Sequence, residues 1–160
     1  MIDIHDFASL GYMAGIIDGE GSIELKWQRN RISYDLILHV YNSDRPLFDW
    51  IESHFGGKTY EIHRRQRVDK PQWQPVYNWN LTGDRACELL RALVPYLVVK
   101  CTKAKLAVEA WENRQPSIKG GAIKGKQGWQ GTVRPSDEII ALRQDYKRRM
   151  LELTHRGPTP

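Results

Sequence analysis

Hydrophobic and polar positions along the chain switch between two periods, and the switches mark its elements. From Asp6 to Asp18 the composition is helical, and Gly11, Gly15 and Gly19 recur every fourth residue, so they share one face. From Ser22 the period becomes two. Ile23, Leu25 and Trp27 alternate with Ser22, Glu24, Lys26 and Gln28; after a turn at 29–31, Ile32, Tyr34, Leu36, Leu38 and Val40 alternate with Ser33, Asp35, Ile37, His39 and Tyr41. This predicts a hairpin with one buried face and one hydrogen-bonding face. Ser43 or Asp44 then caps a helix with Pro46 in its first turn, Leu47, Trp50, Ile51, His54 and Phe55 at helical spacing, and Gly56 and Gly57 as its stop. In a second hairpin Tyr60 and Ile62 are expected to point inward against Thr59, Glu61, His63, Arg65 and Arg67. Its return strand points Tyr77, Trp79 and Leu81 inward against Gln74, Val76, Asn78 and Asn80.

Thr82 starts a helix that Pro95 stops, and another runs from about Thr102 to Asn113. Ser136 caps a last one, with Asp137 and Glu138 in its first turn and Lys147, Arg148 and Arg149 towards its end, as the helix dipole prefers. The order is helix, hairpin, helix, hairpin, helix, helix, with one appended helix. It predicts an α+β fold whose sheet is covered by helices on one face and left polar on the other.

With 160 residues the chain is long enough for one domain with its own core. A hydrophobic fraction of 41% and a charged fraction of 27% exclude disorder and collagen-like sequence. Cys87 and Cys101 are too few for a disulfide framework or a four-cysteine zinc site, and suit a reducing, intracellular compartment. No apolar run approaches the about 20 residues of a membrane span, and MIDIHDF lacks the pattern of a secretory signal, so neither membrane nor export is expected.

The net charge of +5 permits a nucleic-acid partner without requiring one, and its distribution says more. Gln115 to Arg134 is glycine-rich, carries Lys119, Lys124, Lys126 and Arg134 and no acid, and reads as a cationic loop. Residues 58–70 carry basic side chains at strand spacing. Asp3 to Glu24, by contrast, holds acids and no Lys or Arg. An acidic spot in a basic chain suits a metal ion between protein and phosphate, as well as a solvated helix end. Each internal glycine costs a helix about 1 kcal/mol relative to alanine. Three on one face suit the close approach of a second helix, while Gly19 with Gly21 also suits a simple helix stop.

Met13 to Gly21 reads MAGIIDGEG. This resembles the signature of the LAGLIDADG homing endonucleases: Ala14, Gly15, Ile17, Asp18 and Gly21 match identically, and Glu20 stands where the family's name has Asp. Residues 42–57, NSDRPLFDWIESHFGG, are similar to the family's second helix; YNWNLTG and PYLVVK resemble its fourth strand and the lysine-bearing segment behind it. The resemblance covers about Phe7 to Arg114. It implies an αββαββα core over residues 1–114 whose antiparallel sheet is a DNA-binding saddle. The basic loop 115–134, a C-terminal helix 135–154 and a tail 155–160 have no counterpart in it.

The same resemblance implies the roles. Glu20 and the Gly19 carbonyl would hold Mg²⁺ or Mn²⁺, with no small-molecule cofactor, and Glu20, Asn42 and Lys100 would be the catalytic groups. Arg45 is a second basic candidate. Gly11, Ala14, Gly15 and Asp18 would meet a second copy of the chain. Only one motif is present, so a homodimer is expected on a long, pseudo-palindromic double-stranded DNA target, cut to leave short 3′ overhangs. A mobile intron in a bacterial or phage-host cytoplasm, or in an organelle, would encode it. Family folds also serve as non-catalytic nucleic-acid binders, RNA maturases and transcription factors; the Glu20 carboxylate and Lys100 favour catalysis.

The reading face would comprise Ser22, Glu24, Lys26, Gln28, Ser33, Asp35, Ile37, His39 and Tyr41 of the first hairpin. The second would add Thr59, Glu61, His63, Arg65, Arg67, Gln74, Val76, Asn78 and Asn80. Lys26, Arg65 and Arg67 suit guanine; Gln28, Gln74, Asn78 and Asn80 suit adenine; Glu24, Asp35 and Glu61 suit cytosine; Ile37 and Val76 suit thymine methyls.

Overall fold

A computed structural model describes residues 6–28, 33–62, 75–114 and 135–155. Its elements follow the predicted order: α1 (Phe7–Glu20), β1 (Gly21–Gln28), β2 (Ser33–Asn42), α2 (Arg45–Phe55), β3 (Lys58–Ile62), β4 (Val76–Thr82), α3 (Gly83–Leu93), α4 (Cys101–Glu112) and α5 (Asp137–His155). The strands form an antiparallel sheet in the order β1-β2-β4-β3. Asp6 begins α1 by accepting the Ser9 N–H at 3.1 Å, and the side chain of Ser9, with this backbone bond after it, holds the Asp6 carboxyl below the usual range. No helix among the described residues is long and apolar enough to cross a membrane.

The core lies between one sheet face and the helices. Ile23, Leu25, Leu36, Leu38, Val40, Trp79 and Leu81 meet Leu10, Met13 and Ile17 of α1, Phe48, Ile51 and Phe55 of α2, and Leu89, Leu90 and Leu93 of α3. Burying each such side chain contributes about 1.5–3 kcal/mol. Tyr34 reaches through this layer to donate to the Ala110 carbonyl of α4, and its burial pushes the phenol up to about 12. The appended helix joins the same layer. Tyr146 and Met150 of α5 are buried, and the Tyr146 hydroxyl donates to Glu109 Oε1 at 2.9 Å while accepting from Asn113 Nδ2 at 2.8 Å. Lys147 lies over the Trp27 ring.

Trp79 sets the register of the edge strand. Its Nε1 donates to the Gly56 carbonyl at 2.7 Å, and Gly57, at φ +90, leaves no room beside the indole: a Cβ there would sit 2.3 Å from Nε1. With that contact fixed, Thr59 pairs with Trp79 and Glu61 with Tyr77, and paired residues share a face. Thr59 and Glu61 therefore lie on the helix side, and the Thr59 N–H donates to Glu52 Oε1 of α2 at 2.7 Å. Lys58, Tyr60 and Ile62 take the outer face with Asn80, Asn78 and Val76. This inverts the expected alternation of β3. Its apolar residues could not report the buried side, because only the start of this edge strand lies under a helix.

Gly57→Ala should lower stability by about 2–3 kcal/mol, from the left-handed backbone and the clash with Trp79, read as a lower urea midpoint. Gly15→Ala, whose Cβ meets nothing within 4 Å, should leave the midpoint unchanged or raise it by up to about 1 kcal/mol.

Candidate functional site

An α-helix leaves its last carbonyls without intrahelical partners. Here the Gly21 N–H takes those of Ile16 and Ile17, and Lys100 Nζ donates to those of Ile17 and Asp18, both at 2.7 Å. Asp18 returns the contact. Its carboxylate accepts the backbone N–H groups of Val98 at 2.7 Å, Val99 at 3.2 Å and Lys100 at 2.8 Å. Burial works to raise the Asp18 carboxyl, but the three donors outweigh it and hold the group below the usual range. Burial pushes the Lys100 ammonium down, opposed by the Asp18 charge. Lys103 is pushed down by burial and then by the neighbouring Lys100 charge.

Glu20 stands exposed just past this clasp. Its Oε2 accepts from Asn42 Nδ2, and Asn42 Oδ1 in turn accepts the Asp44 N–H at 2.9 Å, which fixes the turn into α2. The structure thus brings together the three expected catalytic groups: Glu20 and Asn42 are bonded, and the Lys100 ammonium sits on the two carbonyls that precede Gly19. Arg45 is engaged elsewhere, paired with Asp49 at 2.9 Å and 5.6 Å from the Tyr77 ring centre. For a metal, one chain offers the Glu20 carboxylate and the Gly19 carbonyl; no cluster of three acids, histidines or cysteines exists among the described residues. Two hard oxygen donors fit Mg²⁺, which keeps several waters and takes phosphate oxygens as further ligands.

The exposed side of α1 differs from the expected contact surface in two residues. Ala14 is 0% exposed and packs with Met13 and Ile17 in the core, because the small residues of the motif divide between two faces. The Asp18 carboxylate is consumed within the chain by its three backbone donors. Gly15 and Gly19 are exposed and Gly11 is half-buried; a Cβ on any of them would meet nothing within 4 Å. Phe7 and Tyr12 flank this open strip.

Strand pairing places Ser22, Glu24, Lys26, Gln28, Ser33, Asp35, Ile37, His39, Tyr41, Val76, Asn78 and Asn80 on the outer sheet face, as expected. Thr59 and Glu61 are not among them. Lys58, Tyr60 and Ile62 replace them, missed because the pattern pointed the other way. The one sequence signal was the Gly56–Gly57 pair, whose backbone decides where the strand begins. Tyr60, 52% exposed, and Tyr41, 43% exposed, flank Asn78. Ile37 is only 9% exposed between Glu24 and Thr82, which leaves little of it for a thymine methyl. Gln28 Nε2 donates to Asp35 Oδ2 at 2.8 Å, so these two side chains are already partnered. His63, Arg65, Arg67 and Gln74 lie outside the described residues, as do Lys119, Lys124, Lys126 and the rest of 115–134.

No family model and no curated protein matches the chain. Solved structures do. The homing endonuclease I-CvuI in complex with its target in the presence of 2 mM Ca has a TM-score of 0.61 at 18% identity, over 99% of this chain and 89% of that one. I-CvuI in complex with the I-CreI target and 2 mM Mg, its DNA not cleaved, has 0.60 at 17%, over the same shares. The archaeal intron-encoded homing endonuclease I-Vdi141I in complex with DNA has 0.50 at 14%, over 88% of this chain and 98% of that one. The chain has the LAGLIDADG homing endonuclease fold, and the likeness extends over 99% of its length.

Asp18→Asn should destabilise the protein by about 1–2 kcal/mol at neutral pH, since an amide cannot serve three backbone donors as a carboxylate does. The folded-state carboxyl titrates below its unfolded value, so its contribution is present above about pH 4 and is lost as the pH falls through the folded value. Denaturation of both proteins between about pH 3 and 7 should show their difference shrinking at the acid end.

Proposed function

We propose that the chain is a site-specific homing endonuclease that makes metal-dependent double-strand breaks in DNA as a homodimer. The observation that carries this reading is the meeting of Glu20, Asn42 and the Lys100 clasp at the exposed end of a glycine-faced helix, beside a polar sheet face. The DNA complexes of I-CvuI and I-Vdi141I, which share the fold, support it. A single motif, and a chain matching 36% of the length of the meganuclease I-AabMI, support a second copy as the other half of the enzyme. The open glycine strip of α1 is where that copy would cross.

Each residue then has a task. The outer sheet face enters the major groove, and the cationic segment with Lys119, Lys124 and Lys126 contacts phosphates. Glu20 and the Gly19 carbonyl hold Mg²⁺ or Mn²⁺, which supplies activation of water and stabilisation of the leaving 3′ oxygen. Asn42 fixes the Glu20 carboxylate through Oε2 and leaves the second oxygen for the cation. Lys100 keeps the helix end in place and sets a positive charge behind the site where negative charge develops on the phosphate oxygens. Two-fold symmetry gives one cut per strand near the dyad of a long pseudo-palindromic target, with short 3′ overhangs. An origin in a mobile intron and action inside a bacterial or phage-host cytoplasm, or an organelle, complete the reading.

Incubation with a supercoiled plasmid library and Mg²⁺ should give metal-dependent double-strand cleavage with 3′ overhangs. Glu20→Gln should reduce cleavage at least about 100-fold while DNA binding persists, and Glu20→Asp should retain more activity. Equal cleavage by the two variants would remove Glu20 as a ligand. Binding without cleavage across a diverse library would favour a non-catalytic nucleic-acid binder. Sedimentation should show a dimer, and Gly15→Leu a monomer.

A further inference from the structure

Two lysines stand at the start of α4, and the structure employs them differently. An ammonium has three donors. Lys100 gives two of its own to the Ile17 and Asp18 carbonyls, beside the Asp18 charge. Lys103, three residues on, gives one, to the Thr154 hydroxyl of α5 at 2.9 Å. That hydroxyl donates in turn to the Met150 carbonyl at 2.8 Å, so it meets Lys103 with a lone pair and carries no charge. No carboxylate lies within ion-pair distance of Lys103 among the described residues. Lys103 is therefore a half-buried cation on a neutral anchor, with two donors that no described residue takes.

Three elements fix where this cation stands. Lys103 lies beside β1, an edge strand of the sheet, near the charges of Lys100 and of Glu24 on the outer face. Helix α5 follows β1 from Lys147 over the Trp27 ring to Thr154 on Lys103, and its buried Tyr146 and Met150 hold it there. Burial, then the Lys100 charge, push the Lys103 ammonium down, with the Glu24 charge opposing. A further anion beside it would act in the same direction as Glu24. Duplex DNA on the outer face brings one. Three strand spacings make the sheet about 14 Å wide, and the major groove is about 12 Å wide, so when the middle strands meet base edges the edge strands lie at the sugar–phosphate rims.

We propose that Lys103, held by Thr154, binds a non-bridging phosphate oxygen of the DNA strand that passes the β1 edge of the sheet. The inference rests on the proposed binding of duplex DNA to the outer face. It gives α5 a task, since the last turn of that helix aims the cation. A phosphate contact fixes the position of the duplex and reads no base, so Lys103 differs in kind from the side chains on the sheet face.

The test measures binding of the full chain, with Ca²⁺ as the only divalent ion, to a duplex that this chain selects from a randomised library. Lys103→Gln should weaken binding about three- to tenfold and lower the slope of log affinity against log salt by about one per chain, with base preferences unchanged. Lys103→Arg should keep most of the slope, and Lys105→Gln, at an exposed position of the same helix, all of it. Thr154→Val keeps the ammonium and removes its anchor, and should fall between wild type and Lys103→Gln in affinity. A neutral methylphosphonate at one linkage per half-site should weaken the wild type and leave Lys103→Gln indifferent. In the unaltered protein, DNA should shield Lys103 but not Lys105 from an acetylating reagent, read by mass spectrometry, a measurement that needs no variant to fold. A full salt slope in folded Lys103→Gln, or equal acetylation of Lys103 with and without DNA, overturns the proposal and leaves DNA binding standing. Wild-type affinity in Thr154→Val overturns the part given to α5. Absence of duplex binding by the wild type at low salt overturns the functional reading, and the phosphate contact with it.

Discussion

Asp18 and Lys100 bind the end of α1 to the segment before α4 from both directions, the carboxylate taking three backbone N–H groups and the ammonium taking two helix carbonyls. The clasp uses up polar groups that would otherwise need water, and it does so without touching Glu20. Strand β1 then starts at once, because Gly21 allows its backbone to pass close to the helix: a Cβ there would lie 2.7 Å from the Ile17 Cα. The register of β1 on β2 begins at that residue, with Gly21 opposite Val40. One constraint therefore sets both where the Glu20 carboxylate and the Gly19 carbonyl project and where the sheet begins.

A second anchor governs the far side of the sheet. Trp79 is buried to its last atom, and its one polar atom finds the Gly56 carbonyl, so the helix-to-strand turn and the sheet interior are one packing problem. The register runs Gly21, Val40, Trp79 and Thr59 across the sheet, so the two anchors lie toward its opposite edges. Between them the face carries glutamate, lysine, histidine, tyrosine and asparagine side chains, some already paired to one another. Such pairing orients those side chains before any ligand arrives, which lowers the ordering cost of binding.

Much of this arrangement was legible in the residues. Period two and period 3.6 located the nine elements of the described residues, because alternation and helical spacing are local consequences of burying one face. Glu20, Asn42 and Lys100 were legible through the motif and its companions, and the structure brings them to one end of α1. The outer faces of β1, β2 and β4 also came out of alternation alone, since each has a strongly apolar side packed on helices. The errors share a cause. In β3 the apolar Tyr60 and Ile62 face outward, and alternation says nothing about direction when an edge strand has little helix above it. Ala14 and Gly15 are both small, and size does not tell which faces the core. Ile37 has an outward direction but neighbours that cover it, and coverage depends on partners from other strands.

The sequence by itself determined the element order, the apolar face of each central strand and the acid-bearing helix end, because these follow from side-chain chemistry at short separation. Tertiary structure alone decided which face β3 presents, that α5 packs on its own α4, that Asp18 serves the chain's own backbone, and that Asn80 shares its amide with His39. Each of these joins residues far apart in sequence, and their mutual geometry is set by packing the whole helical layer onto the sheet at once.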